Sequence, residues 1–218
     1  MKLFLGLPTY GQVEQEVLKT VVNATKKPMN LCTRPSSMLT DNFNVLWCDF
    51  MNGDYTHFAM LHADISAENW WMDKLLDLMQ KNTSDVLSVV MPIKDTSGDT
   101  STAFIPNGDS KVKRLSLAEI QKLPEVFGSK EVSEFVGMEG TLLVNTGLFI
   151  VKRGEWCKKF KGFRCVSEIL FDEKWKARRV SEDWIFSMDA KDLGLTVHAT
   201  RSIRATHIGK QVWRNYIE

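Results

Sequence analysis

Four short stretches of this chain carry side chains able to do chemistry. His62-Ala63-Asp64 follows the apolar run Thr56–Leu61 without a break. A carboxylate just beyond a strand can hold a hard divalent cation, which in turn holds phosphate oxygens; it can equally cap the next turn. Glu182-Asp183 opens a helical stretch, Ser181–Leu193, where the helix dipole stabilises an anion. Acids are ordinary at that position, so both a catalytic and a helix-starting role are open. The following Trp184 reads either as core or as a site wall. His207, within Thr206-His207-Ile208-Gly209, and Pro8-Thr9-Tyr10, which ends the first apolar run, complete the set.

Several chemistries lack their signatures here. There is no HExxH and no His pair at helical spacing, which speaks against zinc hydrolysis. No GxGxxG, GxxxxGK[ST] or GxSxG occurs, so nicotinamide dehydrogenases, P-loop NTPases and serine hydrolases are not indicated. Cys32, Cys48, Cys157 and Cys165 form no CxxC or zinc-finger spacing and read as reduced thiols. At 218 residues, 44% apolar and 25% charged, the chain matches a soluble globular domain and excludes a disordered one. No run reaches the roughly 18 apolar residues of a membrane span. Met1–Leu7 stops at Pro8 and reads as a strand, not a signal peptide, which leads to the expectation of a cytoplasmic protein. Net charge is +1, but residues 150–218 hold 15 Lys+Arg against 9 Asp+Glu, and the remainder 13 against 18. The basic C-terminal third reads as a face for an anionic partner or as a solvated surface.

The elements that must position these residues alternate. Lys2–Leu7 reads as a strand, Val13–Val22 as a helix, Asn30–Thr33 as a strand, and Ser36 to Asn52-Gly53 as a helix carrying Phe43 and Trp47. Thr56–Leu61 is a strand, Ser66 an N-cap for a helix through Trp71, Leu75 and Met79, and Asp85–Pro92 a further strand. Beyond it, Ser101–Ile105 reads as a strand, Ser116–Leu123 as a short helix and Leu142–Lys152 as one strand containing Gly147. Thr196–Ala199 is the last strand candidate. This β/α alternation predicts a parallel sheet with helices on both faces, whose ligands bind beyond the carboxyl ends of the strands. With no linker evident, a single domain is expected.

Taken in order, LGLPTYG (5–11), SSMLTDNFNVLWCDFMN (36–52), FAMLHADI (58–65), DVLSVVMPIKD (85–95), NTGLFIVKR (145–153), SEDW (181–184) and THIG (206–209) resemble a compact GT-A-fold glycosyltransferase, close to family 2 and to small stand-alone phage and bacterial types. The resemblance implies a Rossmann-like, mostly parallel sheet flanked by helices. Residues 1–95 would form the nucleotide-sugar half and 96–218 the acceptor half. It places Asp64 as the metal-binding aspartate of the Asp-x-Asp motif, with His62 replacing the first acid, and His207 as the second metal ligand for Mn²⁺ or Mg²⁺. Pro8, Thr9, Tyr10, His62 and Asp64 would bind the nucleotide sugar. Asp183 would be the catalytic base, with Glu182 supporting it. Asn145, Thr146, Gly147 and Trp184 would line the acceptor pocket, and Asn44 would face the nucleotide or acceptor.

The function expected on this basis is metal-dependent, inverting sugar transfer, with UDP-glucose as the default donor. Two acceptors fit: a 5-hydroxymethylpyrimidine in phage DNA, contacted by Lys158, Lys159, Lys161, Lys176, Arg178 and Arg179, or a saccharide of a surface or lipid-linked glycan. A non-catalytic nucleotide-sugar-binding module is the alternative of a different class.

Overall fold

The computed structural model describes residues 1–108, 111–209 and 212–216. The first half alternates as expected: β1 (Leu3–Thr9), α1 (Gln15–Val22), β2 (Met29–Pro35), α2 (Leu39–Asn52), β3 (His57–Leu61), β4 (Ile65–Ala67), α3 (Trp71–Lys81) and β5 (Val86–Val89). The middle folds as β6 (Asp99–Pro106), β7 (Lys113–Ser116), α4 (Leu117–Ile120), β8 (Val126–Gly128), α5 (Ser129–Val136) and β9 (Gly140–Leu143). Then come β10 (Leu148–Lys152), β11 (Val166–Asp172), β12 (Lys174–Val180), α6 (Glu182–Asp192), β13 (Val197–Thr200), β14 (Ala205–Ile208) and β15 (Val212–Arg214).

The main sheet has the order β2-β1-β3-β10-β5-β13-β8. Strands β2, β1, β3, β5 and β13 run parallel, while β10 and β8 run against them. The sheet is therefore mixed. Strand β10 lies between β3 and β5, so the second half of the chain threads into the middle of the first.

Strand periodicity divides the core in two. Leu3, Leu5 and Leu7 of β1, with Ala59 and Leu61 of β3, face α1 and α3 through Val17, Val21, Trp71, Leu75 and Met79. Phe4, Phe58 and Met60 face the other way, onto Phe43, Leu46, Trp47 and Phe50 of α2, and are joined by Phe149, Phe163 and Phe186. Phe43 and Trp47 are thus packing residues. The Trp47 ring centroid lies 5.2 Å from those of Phe50, Phe58 and Phe160. A third cluster, including Phe104, Leu115, Ile120, Phe127 and Val132, holds β6–β9 and their helices together.

Three local expectations change. Leu142–Lys152 is two strands in different sheets, β9 and β10, broken at residues 144–147. The breaker is Asn145: its Oδ1 accepts from the backbone N–H of Gly147 (3.0 Å) and Leu148 (3.2 Å), and its Nδ2 donates to Val89 O (2.5 Å). Ser66 caps no helix, because it pairs with Thr206 where β4 meets β14; α3 starts at Trp71, after Trp70 in the left-handed region (φ 62°). Finally, β13 is followed by β14 and β15, and the stretch 166–180 forms a hairpin. Among the described residues no helix is long and apolar enough to cross a membrane.

Candidate active site

Asp64 sits in the turn between β3 and β4. Pairing of β14 with β4 puts His207 opposite Ile65, and the Ile208 N–H donates to Asp64 O at 2.7 Å. His207 Nδ1 lies 3.0 Å from Pro92 O. A carbonyl can only accept, so Nδ1 carries the proton and Nε2 is the nitrogen left to face Asp64 Oδ2, at 3.6 Å. Lys94 Nζ stands 2.5 Å from the same oxygen. Asp64 Oδ1 is buried without a partner. Burial alone would raise the Asp64 pKa; the facing His207 and Lys94 outweigh it and hold the carboxyl well below the usual range. The result is an ionised carboxylate with one unused oxygen, facing Nε2 of His207.

His62 packs behind this pair, its ring 5.1 Å from Phe43. Burial pushes its pKa down to about 4, so it is a neutral imidazole at physiological pH. Its Nε2 is shut from solvent without a hydrogen-bond partner. The charges of Asp64 and Glu182 both act on this ring.

The turn at residues 144–147 joins them. Gly147 O accepts from His62 N–H (2.8 Å), Asn145 O accepts from Ser88 Oγ (2.8 Å), and Val144 N–H donates to Ser187 Oγ (2.9 Å) on α6. The ends of β3 and β5 and the middle of α6 are therefore fixed to one another through this turn, and Ser187 Oγ in turn donates to Asp183 O at 2.8 Å. Gly147 is there for close approach: a Cβ would lie 2.9 Å from Ile65 Cδ1 and 3.2 Å from His62 Nδ1. Gly147→Ala is expected to destabilise the fold by about 1–2 kcal/mol through overpacking and to weaken any ligand held by Asp64. Chemical denaturation of both proteins checks this; an unchanged midpoint would remove the close-approach argument.

Ser181 is the N-cap position of α6, and Glu182 and Asp183 form its first turn. Glu182 is buried and accepts from Cys165 Sγ at 3.3 Å. Asp183 is partly buried beside it. Burial, then the Glu182 charge and a hydrogen bond with Glu182, push the Asp183 pKa up to about 8; the Arg114 charge opposes them only in part. A carboxyl with a raised proton affinity at a helix N-terminus is suited to receive a proton near neutral pH.

No protein-family model matches the sequence, and no curated protein matches it. Solved structures do match. A197 from STIV aligns with a TM-score of 0.59 and 14% identity, over 100% of this chain and 96% of A197. TarS from S. aureus aligns with a TM-score of 0.53 and 12% identity, over 93% of this chain and 35% of TarS. TarS 1-349 in complex with UDP-GlcNAc gives a TM-score of 0.49 and 12% identity, over 93% of this chain and 56% of that one. The likeness is one of fold. Helices on both faces of a Rossmann-like sheet, the architecture expected from the sequence, are what this chain shares with A197 and TarS.

The remaining site residues fall into distinct groups. Of Pro8, Thr9 and Tyr10, the first two are buried at the end of β1 and Thr9 Oγ1 accepts from Gly11 N–H (3.2 Å); only Tyr10 projects, 71% exposed. Asn145 and Thr146 are buried, and Asn145 uses both its polar atoms inside the fold, so it positions neighbours rather than presenting a polar face. Asn44 likewise exchanges two hydrogen bonds with the Phe163 backbone (2.7 and 2.9 Å) and does not face a ligand. Trp184 is partly exposed, with the Arg114 guanidinium 5.2 Å from its ring centroid.

The six cations expected on phosphates fall on two segments. Lys158 pairs with Glu155 at 2.8 Å, and Lys159 and Lys161 border a depression with Asp189 and Asp192. Lys176, Arg178 and Arg179 stand on β12. Not foreseen from the sequence are Lys94, which touches Asp64, and Arg114, whose charge acts on Asp183; no local pattern marks either. A depression of about 480 Å³ by His57, Asp85 and Lys152 lies at the opposite end of the strands from Asp64 and holds none of these groups.

Proposed function

We propose that the chain is a nucleotide-sugar-dependent glycosyltransferase acting on an acceptor hydroxyl with inversion. The observation that carries the reading is the Asp64–His207 contact beside a turn, residues 144–147, that is also bonded through Ser187 to the helix carrying Glu182 and Asp183. The fold shared with TarS supports it. UDP-glucose is the default donor.

Asp64 and His207 fit a divalent cation, Mn²⁺ or Mg²⁺. Asp64 Oδ1 is buried and unused, and Nε2 of His207 is left free by the Nδ1 bond to Pro92. Among the described residues no group of three or more His, Cys, Asp or Glu could hold a metal. The further ligands would be substrate phosphate oxygens and water, as is usual for such cations. When bound, the cation would neutralise charge developing on the departing diphosphate. Lys94 adds a second positive charge on the same side, and exposed Tyr10 offers a ring to the base.

Asp183 is the general base. As the acceptor oxygen bonds to the anomeric carbon, the bond from that carbon to the diphosphate oxygen breaks, and the hydroxyl proton passes to the Asp183 carboxylate. A single displacement inverts the anomeric configuration. Glu182, held by Cys165, keeps the Asp183 proton affinity high and orients it. Because Asp183 titrates at about 8, kcat/KM is expected to rise tenfold per pH unit below that value and level off above it. A profile flat from pH 6 to 9 would contradict this role.

Of the two acceptors, a glycan saccharide fits better than a base in DNA. Lys158 is already paired with Glu155, and Lys159 and Lys161 lie beside Asp189 and Asp192. The test is release of nucleoside diphosphate from a panel of nucleotide sugars with Mn²⁺ and saccharide acceptors, with the product anomer read by NMR. Inverted product supports the proposal. Retained configuration would exclude the single displacement, and tight donor binding without release would favour the binding module.

A further inference from the structure

The β11–β12 hairpin is not used by the chemistry above. Its seven pairs run from Val166↔Val180 to Asp172↔Lys174, around Glu173 in the left-handed region (φ 56°). Nearly all of it is exposed, including Ile169 (77%), Phe171 (66%) and Trp175 (74%). A lone two-stranded ribbon is marginal in water, so one exposing this much apolar surface calls for a partner.

Register sorts its side chains. Ile169, Phe171, Trp175 and Ala177 share one face, with the Phe171 and Trp175 rings 5.0 Å apart near the tip. Lys174, Lys176 and Arg178 share the opposite face with Glu168 and Leu170. The surrounding segment 151–180 carries 10 Lys+Arg against 4 Asp+Glu. The ribbon is thus amphipathic within a cationic stretch, and its base adjoins the acid pair: Val180 is followed by Ser181 and Glu182, and Cys165 bonds Glu182.

We propose that this hairpin is an arm that docks on an anionic lipid surface. An element lying in a bilayer interface needs an apolar face toward the acyl chains, aromatic rings at headgroup depth and cations able to meet anionic headgroups. The hairpin presents all three. Single-stranded nucleic acid binders set stacking aromatics and cations along one groove, whereas here most of the cations stand on the face away from the rings. A two-fold contact between copies of the chain would set the cationic segment against itself. Resting on the glycosyltransferase reading, this arm would bring the acid pair to a membrane surface and assign the acceptor as a lipid-borne hydroxyl.

The test is co-sedimentation of the full chain with vesicles of phosphatidylcholine alone and of phosphatidylcholine mixed with phosphatidylserine. Binding is expected to favour the mixed vesicles and to fall at least about tenfold in the double variant Phe171→Ser, Trp175→Ser. The charge variant Lys174→Glu, Arg178→Glu, on the other face, should lose the preference for phosphatidylserine. Circular dichroism and a nucleotide-sugar thermal shift, both expected unchanged, report folding and the donor site separately. No vesicle binding, equal binding by both double variants, retention on DNA in place of vesicles, or a dimer that the Phe171/Trp175 variant dissociates would each overturn the arm. Vesicle binding without any nucleotide response would keep the arm and remove the enzyme reading.

Discussion

Asp183→Asn is expected to lower sugar transfer by about 10²–10⁴-fold, the range for loss of a general base, while donor affinity stays within about threefold. The same substitution is expected to make the protein more stable. An aspartate in an unfolded chain titrates near 3.9, whereas in the fold Asp183 holds its proton to about 8. Between those values the folded state binds the extra proton, so stability declines as pH rises from about 4 to about 8, and is constant beyond. Asparagine is neutral throughout and can still donate to Glu182. The gain should vanish below about pH 4 and reach at least about 1 kcal/mol at pH 8. Thermal unfolding of both proteins across pH, beside a transfer assay, measures the two effects together. A variant that is inactive but less stable at pH 8 would point to a structural role for Asp183. An active one would place the base elsewhere.

Asp64→Asn should have the other large effect. Asp64 holds Lys94 and faces His207 through one oxygen. Without its charge, the site loses the anion that would hold a divalent cation and leaves two basic groups without their acid. Affinity for a metal–nucleotide complex is expected to fall at least about 100-fold, roughly 3 kcal/mol. Stability should fall as well, but modestly, because the carboxylate is 42% exposed and its ion pairs are screened. The Asp64 pKa is depressed in the fold, so its stabilising contribution is present above about pH 4 and is lost as pH drops through the folded value. Titration calorimetry with and without Mn²⁺ separates the outcomes: equal affinity in both proteins would show that Asp64 holds no cation.

Elements with strong local signals were legible in the sequence. The apolar run of β1, the helical spacing of α2, and Gly194 after α6, in the left-handed region at φ 74°, all follow from near neighbours. What escaped depends on distant partners. Nothing local in Leu142–Lys152 separates β9 from β10; the break comes from an Asn145 side chain that binds Val89, more than fifty residues away. Ser66 would cap a helix if β14 did not claim it for a strand. The mixed character of the sheet likewise comes from β10 entering between two strands of the first half. Asp64, His207, Glu182 and Asp183 stand at strand ends and a helix start, where position alone left their roles open, and the roles expected of them came from the glycosyltransferase resemblance. Lys94 and Arg114 could not be named, since nothing in a charge pattern tells a lysine on Asp64 from one in solvent.

A donor site built on Asp64 and His207 can be probed by thermal unfolding with a panel of nucleoside diphosphates and their sugars, each with and without Mn²⁺. One nucleotide is expected to stabilise the protein by roughly 2.7 kcal/mol at 100 times its Kd, with metal and not without it, and not in Asp64→Asn. Stabilisation by no member of the panel, or an equal shift in Asp64→Asn, would contradict it.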